Sequence, residues 1–177
     1  HRCLSTGVYQ TDTVIPSISP SMDIQVSSNF ERALFYAYDG DGAAISRMMD
    51  GLKSEGGFEI SQGIQQKLSE DFGSGRVSEA ETSATIAAHC KSTGEILCPH
   101  SAIGVNVAEA LRDPHVPMVT LATAHPAKFP DAVEAATSQR PELPERMADL
   151  YSRSERLTRV ANDLAPLQQL IKERTLH

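Results

Sequence analysis

The sequence holds little that would tie it to a membrane, a metal or a nucleic acid. No apolar run approaches the roughly 20 residues that a bilayer-spanning helix needs, and no basic amphipathic stretch suggests a membrane surface. The net charge of -7 opposes a surface that tracks phosphates. Three cysteines, Cys3, Cys90 and Cys98, cannot all pair, and their spacing fits neither a metal motif nor a disulfide framework. Free thiols in a reducing cytosol are the expectation. Asp39-Gly40-Asp41-Gly42 starts like a calcium loop but departs from the pattern after its third position. The chain opens His1-Arg2-Cys3, without a charged n-region or an apolar h-region, so no signal peptide is expected there. The expectation is instead that the sequence starts mid-protein or after processing. No internal repeat or low-complexity tract is present.

What remains is ordinary globular material. The 177 residues suffice for one domain with its own core. Residues 1 to 27 carry Gly7, Pro16 and Pro20 among Ser and Thr, which predicts extended or irregular backbone. Ser28 and Glu31 are spaced as a capping box for a helix that buries Phe30, Ala33, Leu34 and Ala37. Asp39 to Gly42 ends that helix and caps the next, which runs to about Leu52. Further helices are predicted over Ser61–Phe72, from a second capping box at Ser78 and Glu81 to Gly94, and from Pro99 to Asp113-Pro114. The last of these carries Ile103, Val107, Ala110 and Leu111 on one face. Gly73-Ser74-Gly75 reads as a turn between helices.

Met118 to Ala122 is the one clear predicted strand. A helix follows Pro130, and the tail from Pro144 reads as helical with a break near Asn162-Asp163, because Pro166 cannot sit in a helix interior. The fold class is therefore α/β and mostly helical, with an incomplete sheet. So much helix around so little sheet suggests one unit of a larger structure.

Thr123-Ala124-His125-Pro126-Ala127-Lys128 leaves the predicted strand at its carboxyl end, where α/β sheets bind ligands. A hydroxyl, an imidazole and an ammonium emerge together there, as an anion site would require. A turn cap at Thr123, a satisfied His125 and a solvated Lys128 explain the same residues equally well.

Three segments carry a resemblance. LATAHPAKF (Leu121–Phe129), SPSMDIQVSSNFERALF (Ser19–Phe35) and Pro99-His100-Ser101-Ala102-Ile103-Gly104 resemble motifs of the threonine synthase family, in the family's order and approximate spacing. The match extends from Thr6 to about Val133. The SPSMDI and TAHPAKF segments separate this family from threonine dehydratases and cysteine synthases, which share the fold type.

The resemblance implies the C-terminal part of a fold-type II pyridoxal-phosphate enzyme, similar to the β subunit of tryptophan synthase. Such enzymes convert O-phospho-L-homoserine and water to L-threonine and phosphate, with the cofactor as electron sink. A Ser or Thr hydroxyl faces the pyridine nitrogen in this fold, and the motif places Thr123 in that role. His125 and Lys128 are candidates for a substrate or phosphate contact, with a structural role favoured for both. His100 reads as a helix cap, as do Ser27, Ser28 and Asn29, and Arg32 as a surface residue.

The family's Schiff-base lysine lies upstream in a context that none of Lys53, Lys67, Lys91, Lys128 and Lys172 shares. The Gly-Asn loop for the cofactor phosphate is also expected upstream. Residues 1–137 are thus expected to be the C-terminal part of the cofactor-binding region, and 138–177 a helical tail packing on it. The expected partners are the N-terminal half of the same protein and a small-molecule substrate, in the cytoplasm. The chain alone is expected to be inactive, with strand edges and apolar helix faces exposed. A non-catalytic helical module that binds a small anion or a protein is the alternative reading.

Overall fold

The computed structural model describes residues 1–175; residues 176 and 177 of the expected tail lie outside the described residues. The chain divides into two units, residues 1–142 and 143–177.

The first unit holds seven α-helices, a two-stranded ribbon and two 3-10 turns. Its first half comprises α1 (Arg2–Thr6), β1 (Val8–Gln10), α2 (Ser28–Ala37), α3 (Gly42–Ser54), β2 (Gly57–Glu59) and α4 (Gln62–Asp71). These elements share a core of Cys3, Leu34, Ala37, Ile45, Ile60 and Leu68. The second half comprises α5 (Glu79–Thr93), α6 (Pro99–Leu111) and α7 (Pro130–Thr137). Here α5 packs against both α6 and α7, and Ile86, Val133 and Ala102 are fully buried.

Local chemistry explains most helix starts. Asp41 accepts from the Ala44 N–H at 3.0 Å and begins α3. Ser61 caps α4. Ser78 and Glu81 form the expected reciprocal capping box at α5, and Gly94 ends that helix in the left-handed conformation at φ 80°. One start differs from expectation. Ser27, not Ser28, is the N-cap of α2, and no side chain caps it. The expected Ser28–Glu31 box is not formed.

The segment read as irregular also holds more order than expected, namely α1 and β1. β1 pairs antiparallel with β2, with Tyr9 opposite Phe58 and Gln10 opposite Gly57. These strands are three residues each, too short for a period-two pattern to reveal. The Tyr9 ring stacks on Phe58 at 4.9 Å and on Phe30 at 5.9 Å. Its hydroxyl donates to the Gln25 carbonyl at 3.0 Å and accepts the Ser27 N–H at 2.8 Å. Through Tyr9 the ribbon therefore holds the end of the loop that carries Ser19–Ile24.

The predicted strand Met118–Ala122 is not a strand in the structure. The only strands among the described residues are β1 and β2, so the segment has no partner with which to form a ladder. Its apolar side chains stay exposed, Val119 at 79% and Leu121 at 75%. A strand is defined by its neighbour, and here the sequence pattern stands without one. The face of α6 read from the sequence is likewise only partly covered: Ala110 and Leu111 are exposed, and burial concentrates in the first turn, Pro99 to Ala102.

The second unit is less regular than expected. It has 3-10 turns at Glu145–Met147 and Leu150–Ser152, irregular backbone after them, and α8 (Leu164–Thr175). Pro166 falls in the first turn of α8, where its missing N–H breaks no helical bond. No described helix is long and apolar enough to cross a membrane.

Candidate functional site

The three segments singled out in the sequence meet at the N-terminal turn of α6. Cys98 is the N-cap of that helix, its sulfur accepting the Ser101 N–H at 3.4 Å. Pro99 follows in the first turn, where proline is favoured. This leaves the side chains of His100 and Ser101 free to reach outside the helix.

His100 does not cap the helix, contrary to expectation. Its Nε2 accepts the Ser21 N–H at 3.1 Å, which docks the 3-10 turn Pro20–Met22 against α6. Ser17 reinforces that turn, its N–H and hydroxyl both donating to Asp23 at 2.7 Å. The His100 ring lies 4.6 Å from the Phe129 ring. His100 thus touches both of the other motif segments.

Ser101 reaches the third partner. Its Oγ accepts the Thr123 N–H at 3.1 Å and lies 3.1 Å from the Cys98 sulfur. Gly104, one turn further on, allows the extended segment to run close. A Cβ there would sit 3.1 Å from the Thr120 methyl group.

The predicted site residues are therefore brought to one place but used differently. Thr123 is held by its backbone, and no described residue bonds its exposed hydroxyl. His125 turns inward on its own loop, its Nδ1 accepting the Ala127 N–H at 3.2 Å to begin the 3-10 turn Pro126–Lys128. Lys128 is exposed and lies 5.9 Å from the Phe129 ring centroid. Arg32 donates to the Asn29 side chain on the surface of α2. Ser101 had no role assigned beyond its place in a motif. Its significance depends on a partner 22 residues away, which spacing does not disclose.

Electrostatics keep His100 neutral. Burial pushes its imidazole below the ordinary value near 6.5, and the positive charge of Lys128 adds to this while Asp23 opposes it. The hydrogen bond agrees: an Nε2 that accepts a backbone N–H cannot carry a proton. The neutral ring then holds its proton on Nδ1, which is buried without a partner among the described residues. Because the folded-state value is lowered, protonation favours the unfolded chain. Stability from this residue is complete above the unfolded value near 6.5 and falls as pH drops below it toward the folded value. Urea unfolding between pH 7.5 and 5 is expected to show this loss, and His100→Gln is expected to flatten it. An equal slope in both proteins would refute the assignment.

Known proteins match this chain in sequence and in fold. The family model "Threonine synthase, C-terminal" matches residues 101–171. A threonine synthase of Pseudomonas aeruginosa is 46% identical over 175 residues, which is 98% of this chain and 37% of that protein. The crystal structure of a threonine synthase from Brucella melitensis, described as bound to PLP, superposes with a TM-score of 0.88 at 46% identity. The superposition covers 97% of this chain and 37% of that one. The yeast threonine synthase structure superposes with a TM-score of 0.82 at 35% identity, over 99% and 39% of the two chains. This chain thus spans little more than a third of the length of the relatives it matches. It belongs to the threonine synthase family and corresponds to the C-terminal portion of its members.

Proposed function

We propose that this chain supplies the pyridine-nitrogen side of the pyridoxal-phosphate site of a threonine synthase. The whole enzyme would convert O-phospho-L-homoserine and water to L-threonine and phosphate. The observation that carries the reading is the presentation of Thr123. Its backbone is fixed to buried Ser101, while its hydroxyl is exposed and unbonded among the described residues.

The residues present fit one end of the cofactor. A neutral hydroxyl opposite the ring nitrogen would leave that nitrogen largely unprotonated, which moderates the cofactor's capacity to accept electrons. The other end needs a lysine and a phosphate loop. None of the five lysines is buried: Lys53, Lys91, Lys128 and Lys172 are exposed, and Lys67 is half-exposed and paired with Asp39. The reading therefore assigns both features to a partner segment, the N-terminal portion of the same enzyme. It also keeps residues 1–137 as the cofactor region, with 138–177 as a helical tail. Lys128 and His125 stay as weaker candidates for a phosphate contact, and His125 is already engaged in its own turn. A cytoplasmic setting belongs to the same reading, supported by three free cysteines.

A chimaera tests this. The first part of the Pseudomonas aeruginosa enzyme, joined to this chain in place of its own matching segment, is expected to release phosphate from O-phospho-L-homoserine. Thr123→Val in that chimaera is expected to shift the cofactor absorption band and lower kcat. An unchanged band and rate would remove Thr123 from the site.

A further inference from the structure

The buried hydrogen bonds at α6 are more specific than a helix start requires. Cys98 already caps the helix, so neither His100 nor Ser101 is needed for that purpose. Both are nonetheless more than nine-tenths buried and polar. Buried polar groups of this kind are retained where they hold a particular partner. His100 bonds a residue 79 positions earlier, and Ser101 one 22 positions later. Each partner is a backbone N–H in a segment that otherwise lacks regular pairing: the loop around Pro20–Met22 and the extended run before Pro126. In the absence of a strand ladder, these two side chains supply long-range hydrogen bonds to the backbone of those segments, alongside Glu79, which accepts the Ile18 N–H at 3.3 Å, and Tyr9 at the end of the loop. Phe129 closes the arrangement, because the same motif that contains Thr123 places its ring against His100.

We propose that His100 and Ser101 are positioning residues, and that the first turn of α6 is a clamp that sets the Thr123 hydroxyl. Ser101 holds the Thr123 backbone directly. His100 holds the SPSMDI turn through the Ser21 N–H and packs on the ring of Phe129, which belongs to the same motif as Thr123. The inference rests on Thr123 as the cofactor contact. Charge changes near His100 act through Lys128 and Asp23, the two charged groups that face it.

Amide hydrogen exchange, read by NMR on the 177-residue chain, tests the clamp directly. In the wild-type chain the Thr123 and Ser21 amides are expected to exchange at least about tenfold more slowly than unstructured amides. Unstructured rates at Thr123 would overturn the proposal whatever the variants do. Ser101→Ala is expected to abolish protection at Thr123 and leave the Ile86 amide in α5 protected. Ser101→Thr, which retains the hydroxyl, is expected to restore Thr123. Persistent protection in the alanine variant would overturn the proposal. Should the alanine chain unfold, with Ile86 protection lost as well, Ser101→Cys replaces it, with partial loss expected at Thr123 alone.

The cofactor band of the chimaera supplies the second readout. Ser101→Ala is expected to shift it in the same direction as Thr123→Val, and Ser101→Thr to return it. A loosened Thr123 amide with an unmoved band in Ser101→Ala, where Thr123→Val does shift it, would overturn the clamp. If Thr123→Val also leaves the band unmoved, the cofactor reading fails while the amide data continue to support the clamp.

Discussion

Gly57→Ala is expected to destabilise the unit of residues 1–142 by about 2–3 kcal/mol, the upper range for forcing an extra methyl into a packed site. A Cβ at Gly57 would sit 2.6 Å from the Tyr9 carbonyl oxygen and 3.3 Å from the Gln10 Cα. Both are backbone atoms of the opposing strand, so no rotamer change relieves the clash. Tyr9 is also poorly able to retreat. Its ring is stacked between Phe58 and Phe30, and its hydroxyl is committed at both ends. Replacing glycine by alanine ordinarily favours folding by about 0.4–1 kcal/mol through the unfolded chain. Here the steric term is larger and opposite in sign. Urea unfolding of the two proteins measures the difference, and a midpoint equal to wild type would show that the ribbon yields freely.

The chain alone, incubated with pyridoxal phosphate and reduced with borohydride, is expected to label no single lysine. A lysine that forms a Schiff base at neutral pH is activated by a desolvated pocket or a neighbouring cation. Lys53, Lys91, Lys128 and Lys172 are exposed. Lys67 is the partial exception, but it is half-exposed and already engaged in an ion pair with Asp39. Label is therefore expected to spread in proportion to exposure and to remain substoichiometric at every site. Mass spectrometry of the reduced protein reads this directly. Stoichiometric modification of one lysine, with a matching absorption band, would mean that the chain carries its own covalent anchor.

The sequence disclosed the parts of this molecule that depend on near neighbours. The caps at Asp41, Ser61 and Ser78 lie within three residues of the amides they satisfy. Their chemistry was legible for that reason. The family resemblance singled out Thr123 for the role proposed above, because a motif is also a local string. Non-local features were not legible. Met118–Ala122 has the composition of a strand, but strand formation depends on a partner that the described residues do not contain. Ser28 was one residue off as a cap because Ser27 and Ser28 offer the same hydroxyl, and neither side chain bonds the helix start. His100 was read as a cap from its position, while its actual bond reaches Ser21 across the fold. Ser101 was hidden for the same reason. In both cases the chemistry of the side chain was evident and its address was not.

The setting of Tyr9 has an optical consequence. The protein contains no tryptophan and only four tyrosines, so its near-ultraviolet dichroism comes chiefly from tyrosine rings held in asymmetric surroundings. Tyr36 and Tyr151 are 71% and 79% exposed and have freedom to average their signals, which leaves Tyr9 and the half-buried Tyr38 as the held rings. Tyr9 is immobilised between two phenylalanines and bonded through its hydroxyl to the loop that leads into the SPSMDI turn. The protein thus has a built-in chromophore beside the segment that His100 holds, and release of that loop would register as a change in tyrosine ellipticity without any added label.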